Sequence, residues 1–286
     1  MVDGGADVAR GLSVRGLGPA GARGRIWGTL LLLGLSLSST AVLAYADLLP
    51  DTFDLGVFDF DSFHDDGLPH VARQLALGAP LRIVAFGSSS TQGVGASTPA
   101  AAYPARLEAA LKRALPRLGG GVTVLNRGIG GEAVDEMLAR LDRDVIGEHP
   151  DLVIWQTGSN DALRDVPLDH FRDATLSAVR RIREAGIDVV LMEPQWCPRF
   201  DATPGAYRFR DAVRAIGEAL EVPVIRRSTL MRDWIGQARL THSELFSADG
   251  LHMADRGYEL LAQAAADDLL RGAAAVKTAE LGPLAD

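Results

Sequence analysis

The sequence predicts an α/β fold, a five-stranded parallel sheet covered by helices on both faces in three α/β/α layers. Two patterns predict it. Between residues 81 and 270, five short apolar runs alternate with amphipathic stretches of helical period, and polar, glycine-rich segments follow the ends of those runs. With 47% hydrophobic and 23% charged residues over 286 positions, the chain has enough apolar surface for one large core.

In chain order, the first 46 residues stand apart. Arg10, Arg15, Arg23 and Arg25 precede an apolar run from Ile26 to Ala46 that closes on Ala44-Tyr45-Ala46. A basic region, an apolar region and a small-x-small site read as an export signal cleaved after Ala46, or, left uncleaved, as an N-terminal membrane anchor. Residues 47–67 are acidic and aromatic without helical period and read as a lead-in segment with a solvated charge run. Pro69 to Leu77 reads as a short helix stopped by Gly78-Ala79-Pro80. Strands are then expected at 81–86, 122–125, 152–156, 188–192 and 222–225. Helices are expected at 104–115, 133–145, 168–185, 207–220, 229–238 and 256–270. The tail, residues 272–286, is expected to fray.

Composition excludes several classes. The net charge is −8, and no Lys/Arg-rich run follows the N-terminal segment, which argues against a nucleic-acid surface. A single cysteine, Cys197, rules out an intrachain disulfide and gives no zinc-ligand spacing; it reads as a small buried residue. His64, His70, His149, His170 and His242 show no metal-ligand spacing. No cofactor is expected.

In a sheet of this kind the ligand-binding loops leave the C-terminal ends of the strands. Those ends carry Gly87-Ser88-Ser89-Ser90, Asn126-Arg127-Gly128-Ile129-Gly130-Gly131, Thr157-Gly158-Ser159-Asn160-Asp161 and Glu193-Pro194-Gln195-Trp196. The last loop before the final helix adds Ser247-Ala248-Asp249-Gly250-Leu251-His252. Acyl transfer needs a hydroxyl nucleophile, an imidazole to take its proton, a carboxylate to orient the imidazole, and donors for the oxyanion. Ser89 supplies the hydroxyl. His252 lies in a glycine-flanked loop before the closing helix, and Asp249 stands three residues earlier. That spacing directs the carboxylate to Nδ1–H and leaves Nε2 for Ser89. The donors are the N–H groups of Ser89 and Gly131 and the side-chain amide of Asn160, with glycine at 131 admitting a close substrate.

This set resembles the SGNH hydrolases, also called GDSL esterases and lipases, over roughly residues 81–270 and in the family's block order. Phe86-Gly87-Ser88-Ser89-Ser90 resembles the nucleophile block, Asn126 to Glu132 the glycine block, Gly158-Ser159-Asn160-Asp161 the Gly-x-Asn-Asp block and Asp249-Gly250-Leu251-His252 the Asp-x-x-His block. The resemblance implies a flavodoxin-like sheet, a Ser89–His252–Asp249 triad and an oxyanion hole from Ser89, Gly131 and Asn160. Ser88 stands where the family's Gly-Asp-Ser carries aspartate, which weakens substrate inference from Gly-Asp-Ser members.

Other readings compete at single motifs. Ser88, Ser90 and Thr91 are expected to cap the turn, and Asp161 to brace the loop that aims Asn160. Gly128-Ile129-Gly130-Gly131-Glu132-Ala133 also fits a dinucleotide fingerprint, but the next strand ends in Gln156-Thr157-Gly158, with no acid for a ribose. Arg127 is placed either against an anionic substrate or in a salt bridge. Trp196 reads as a wall of the acyl pocket, a sugar-stacking surface or packing. The expectation is an exported esterase acting on short O-acyl groups, such as acetyl, of a small-molecule or carbohydrate ester. The alternatives are an O-acyltransferase acting on a cell-surface polysaccharide and a non-catalytic carbohydrate-binding module.

Overall fold

A computed structural model describes residues 67–275; the proposed signal and acidic lead-in, and the tail beyond Ala275, lie outside them. The five strands are β1 (Leu81–Gly87), β2 (Val122–Gly128), β3 (Leu152–Gln156), β4 (Asp188–Met192) and β5 (Val224–Ile225), all parallel in the order β2-β1-β3-β4-β5. Every residue of β3 and β4 is buried, which is why both read as unbroken apolar runs without alternation. The strand order reverses between β1 and β3, and in open α/β sheets the crevice at such a reversal receives ligands.

The helices are α1 (Pro69–Leu77), α2 (Ser89–Gln92), α3 (Tyr103–Ala114), α4 (Val134–Ala139), α5 (Leu141–Asp144), α6 (Ser159–Leu163), α7 (Leu168–Glu184), α8 (Pro198–Asp201), α9 (Tyr207–Leu220), α10 (Arg227–Gly236), α11 (His242–Leu245) and α12 (Asp255–Ala275). In α7 the buried positions Phe171, Thr175, Ala178, Val179 and Ile182 form one stripe. On α9 a Cβ at Gly217 would stand 2.3 Å from a Val224 methyl, so glycine lets the helix lie directly on β5. Helices α4, α7 and α9 pack together as one layer, and α1, α3, α10, α11 and α12 as the other. Among the described residues no helix is long and apolar enough to cross a membrane.

The structure departs from the expected boundaries where tertiary bonds decide them. β2 continues through Asn126-Arg127-Gly128, because β1 goes on pairing with it as far as Gly87↔Gly128. β5 begins at Val224, since Pro223 has no N–H and the Val222 N–H closes α9 onto the Gly217 carbonyl at 2.8 Å. The helix expected over 133–145 breaks into α4 and α5 at Arg140, whose buried guanidinium reaches into the sheet. The final helix runs on to Ala275, past the expected start of the tail, with Ala273 buried and the Gly272 carbonyl accepting the Leu68 N–H.

Candidate active site

β1 delivers the chain into the short helix α2, whose first residue is Ser89. Ser88 and Thr91 do not cap that turn, as was expected of them. Instead both hydroxyls donate to Gln156 Oε1 on the neighbouring strand, at 3.1 and 3.2 Å, and the Ser88 N–H donates to the same oxygen at 2.9 Å. A buried amide oxygen at the end of β3 is within reach and takes all three donors, so the turn that carries Ser89 is held by the sheet. Ser90 is buried beside them without a side-chain cap.

The glycine block closes over this turn. A Cβ at Gly128 would fall 2.1 Å from the Gln92 nitrogen, so the backbone of α2 packs directly on the end of β2. The Gly130 N–H donates to Gln92 Oε1 at 2.9 Å. These contacts give the Gly-x-Gly spacing a packing cause that needs no pyrophosphate. Gly131 sits at φ +83°, a left-handed conformation natural to glycine, with open space where a Cβ would be. The left-handed backbone thus favours glycine at this position, and the open space beside it leaves its surface uncovered by protein atoms.

The Asp249–His252 loop is tied at its base by a bridge between Phe246 and Met253 and by the Ser247 N–H bond to the His252 carbonyl. It is brought onto Ser89 from far along the chain. His252 Nε2 lies 2.8 Å from Ser89 Oγ, and His252 Nδ1 lies 2.5 Å from Asp249 Oδ2. A Cβ at Gly95 would collide with the Met253 carbonyl at 2.4 Å, so glycine there lets the histidine loop approach. Burial pushes the Asp249 carboxyl up. The donors Nδ1–H of His252, the His252 and Leu251 N–H groups and the Ser247 hydroxyl outweigh it and hold the carboxyl well below the usual range.

Asn160, in α6, donates one amide hydrogen to the Glu132 carbonyl at 2.8 Å, which fastens it to the glycine block and leaves its second hydrogen available. The N–H groups of Ser89 and Gly131 take part in none of the backbone hydrogen bonds among the described residues. Asp161 is buried and accepts the Val134 N–H at the start of α4, bracing α6 against the glycine block. Its carboxyl is pushed up by burial.

Two predicted residues are not brought into this group. The Arg127 guanidinium is paired with Glu148 at 2.5 Å, which favours the salt-bridge alternative. Trp196 donates Nε1–H to Asp201 at 3.0 Å and stands edge-on to His242 and Phe246, with Arg232 over its ring. It packs in an aromatic group with His242 and Phe246, and Phe246 bridges Met253 at the base of the Asp249–His252 loop. Three supporting residues escaped the reading of the sequence: Gln156, Arg140 and Arg227. Arg140 donates to the Gly87 carbonyl at 3.0 Å and to Glu132 at 2.7 Å, linking β1 to the glycine block. A polar residue closing the apolar strand Leu-Val-Ile-Trp-Gln was the one visible signal for Gln156.

A parallel sheet that carries a serine, a histidine and an aspartate beyond its C-terminal edge, beside a glycine block and an asparagine, has the architecture of the SGNH hydrolases. Residues 61–275 match the non-GDSL lipase-like family, and the chain belongs to it. It is a carboxylic ester hydrolase. The arylesterase of Vibrio mimicus is 27% identical over 161 residues, 56% of this chain and 76% of that protein. The acetylxylan esterase of Geobacillus stearothermophilus is 32% identical over 102 residues, a match spanning 32% of this chain and 46% of that protein. The crystal structure of the lipase/acylhydrolase from Enterococcus faecalis superposes with a TM-score of 0.56 at 28% identity, covering 67% of this chain and 96% of that one.

Proposed function

We propose that this esterase removes short acyl groups, acetyl foremost, from a carbohydrate or small-molecule ester through an acyl-enzyme on Ser89. The observation that carries the reading is the continuous contact from Ser89 Oγ to His252 at 2.8 Å and from His252 to Asp249 at 2.5 Å. His252 Nε2 takes the Ser89 proton as Oγ attacks the ester carbonyl. Asp249 holds the imidazole in the tautomer that accepts at Nε2 and stabilises the imidazolium. The Ser89 and Gly131 N–H groups and the Asn160 amide receive the oxyanion. His252 then protonates the leaving alcohol and activates the water that releases the acid.

Acetyl as the acyl group and carbohydrate as its carrier are supported by the acetylxylan esterase relative. Ile129 and Val94, both exposed, are hydrogen-bonded through their backbones to Gly87 and Ser89 and offer apolar surface at the rim. Export, with the enzyme free or tethered, is supported by the basic and apolar N-terminal segment. The test is Ser89→Ala against p-nitrophenyl esters of increasing chain length. The expected result is a loss of at least about 10³-fold in kcat/KM, with wild-type activity highest on the acetate. Wild-type hydrolysis by Ser89→Ala would sink the reading. Transfer to an added glycan outrunning hydrolysis would replace it with acyl transfer.

A further inference from the structure

Behind the nucleophile lies a buried polar chain that the proposed steps do not use. Arg227, the first residue of α10, is wholly buried. Its Nε donates to the Glu193 carbonyl at 3.1 Å and its Nη2 to Gln195 Oε1 at 2.7 Å. Ser159 Oγ donates to that same Gln195 oxygen at 2.8 Å, and Gln156 Nε2 reaches Ser159 Oγ at 3.4 Å. Gln156 Oε1 in turn accepts from Ser88 N, Ser88 Oγ and Thr91 Oγ1. All of these residues are buried. One end of the chain holds the peptide just ahead of Ser89, and its middle member is the neighbour of Asn160.

A desolvated guanidinium is expensive to keep, and burial lowers the Arg227 pKa to about 10. The Glu193 carboxylate, whose charge works against that lowering, is bound by Arg214 through two bonds. None of the ion pairs among the described residues includes Arg227, and its Nη1 has no partner. An apolar residue of similar volume would fill the site without that cost. Arginine differs in one respect that matters here, since it only donates. Its donation obliges Gln195 to present oxygen, so the Ser159 hydroxyl must point toward Gln195 and accept from Gln156 Nε2. Gln156 is then left with its oxygen facing Ser88 and Thr91. Remove the cation, and Gln195 and the Ser159 hydroxyl are free to reverse, which would take the Ser159 acceptor from Gln156 Nε2 and leave the Ser88 and Thr91 donors alone to hold that amide.

We infer that Arg227 is a positioning residue, whose buried charge sets the direction of the Gln195–Ser159–Gln156 hydrogen-bond chain and thereby fixes the Ser89 peptide and Asn160 as oxyanion donors. The inference rests on the proposed triad and oxyanion hole. Arg227 acts on donors used in the transition state, so its loss lowers kcat and leaves KM nearly unchanged.

The experiment measures kcat and KM on p-nitrophenyl acetate, per active site counted by fluorophosphonate labelling, for Ser159→Ala, Arg227→Met and Arg227→Lys, with Ser89→Ala in parallel. Ser159→Ala is expected to lower kcat about 10-fold and Arg227→Met about 10- to 100-fold, each with KM within about twofold. Arg227→Lys, again a donor-only cation, should restore most of the loss. Wild-type kcat per labelled site in Ser159→Ala or Arg227→Met overturns the inference, as does a rise in KM at constant kcat or a lysine variant no better than methionine. Should Arg227→Met fail to fold, Ser159→Ala decides alone, because it removes a single hydroxyl. An active Ser89→Ala would instead overturn the triad, and the two failures are distinguishable.

Discussion

The two ends of the sheet use the same side chain to different ends. At the N-terminal end, Asp188 opens β4 and accepts the Val71 N–H at 2.9 Å, and Asp151 accepts Gln74 Nε2 and the Arg82 N–H, each at 2.7 Å. These bonds fasten α1 and the start of β1. At the C-terminal end, Asp249 gathers four donors and stands against His252. Burial pushes the Asp188 carboxyl up to about 6, whereas at Asp249 the donors overcome burial and pull the carboxyl down. The lesson lies in the donor count. At Asp188 the His70 and Val71 N–H groups do not offset burial, whereas a carboxylate that must stay ionised beside an imidazole needs more donors.

Four measurements sharpen or break that contrast. The largest effect belongs to Asp249→Asn, which keeps the shape but no longer supports the imidazolium; kcat should fall about 10³- to 10⁴-fold in steady-state assays. Asn160→Ala removes one proposed oxyanion donor and should lower kcat about 10²-fold with little change in KM. A KM effect alone would remove Asn160 from the oxyanion hole. Third, Asp188→Asn should leave kcat and KM at their wild-type values, because this carboxylate only fastens the far end of the sheet.

The smallest effect is on stability against pH, and the two aspartates bend that curve in opposite senses. The folded Asp249 carboxyl is depressed, so the stability it contributes is present above about pH 4, the unfolded value, and is lost as the pH falls through its folded value. The folded Asp188 carboxyl is raised. Its contribution is present below about pH 4 and is lost as the pH rises through about 6. Melting temperatures from pH 3 to 7 should show Asp188→Asn without the loss on rising pH and Asp249→Asn without the acid limb. Parallel curves for all three proteins would contradict the assignment.

Much of this arrangement was legible in residue types. Ser89, Gly131, Asn160, Asp249 and His252 each follow a strand or precede the last helix, and parallel-sheet geometry gathers such positions at one edge. The supporting residues were not legible. Arg140 looks like a polar position on an amphipathic helix, yet its side chain lies over the Phe86 ring and bonds to the Gly87 carbonyl. Arg227 looks like one basic residue beside another at a helix start. Gln156 looks like the polar end of a strand. Nothing local marks them as buried, because their partners come from other segments of the chain.

By itself, then, the sequence determined the alternation of strands and helices, their placement to within a few residues and the side chains that reach the C-terminal edge. Apolar periodicity and strand-end loops are local properties, and they are written residue by residue. Only the tertiary structure decided which donor meets which acceptor: that Ser88 and Thr91 turn to Gln156, that Arg127 turns to Glu148, and that Arg227 is buried outside any of the ion pairs among the described residues. Those choices depend on desolvation and on distances between segments far apart in the chain. A hydrogen bond gains its value only once water has been excluded from both partners.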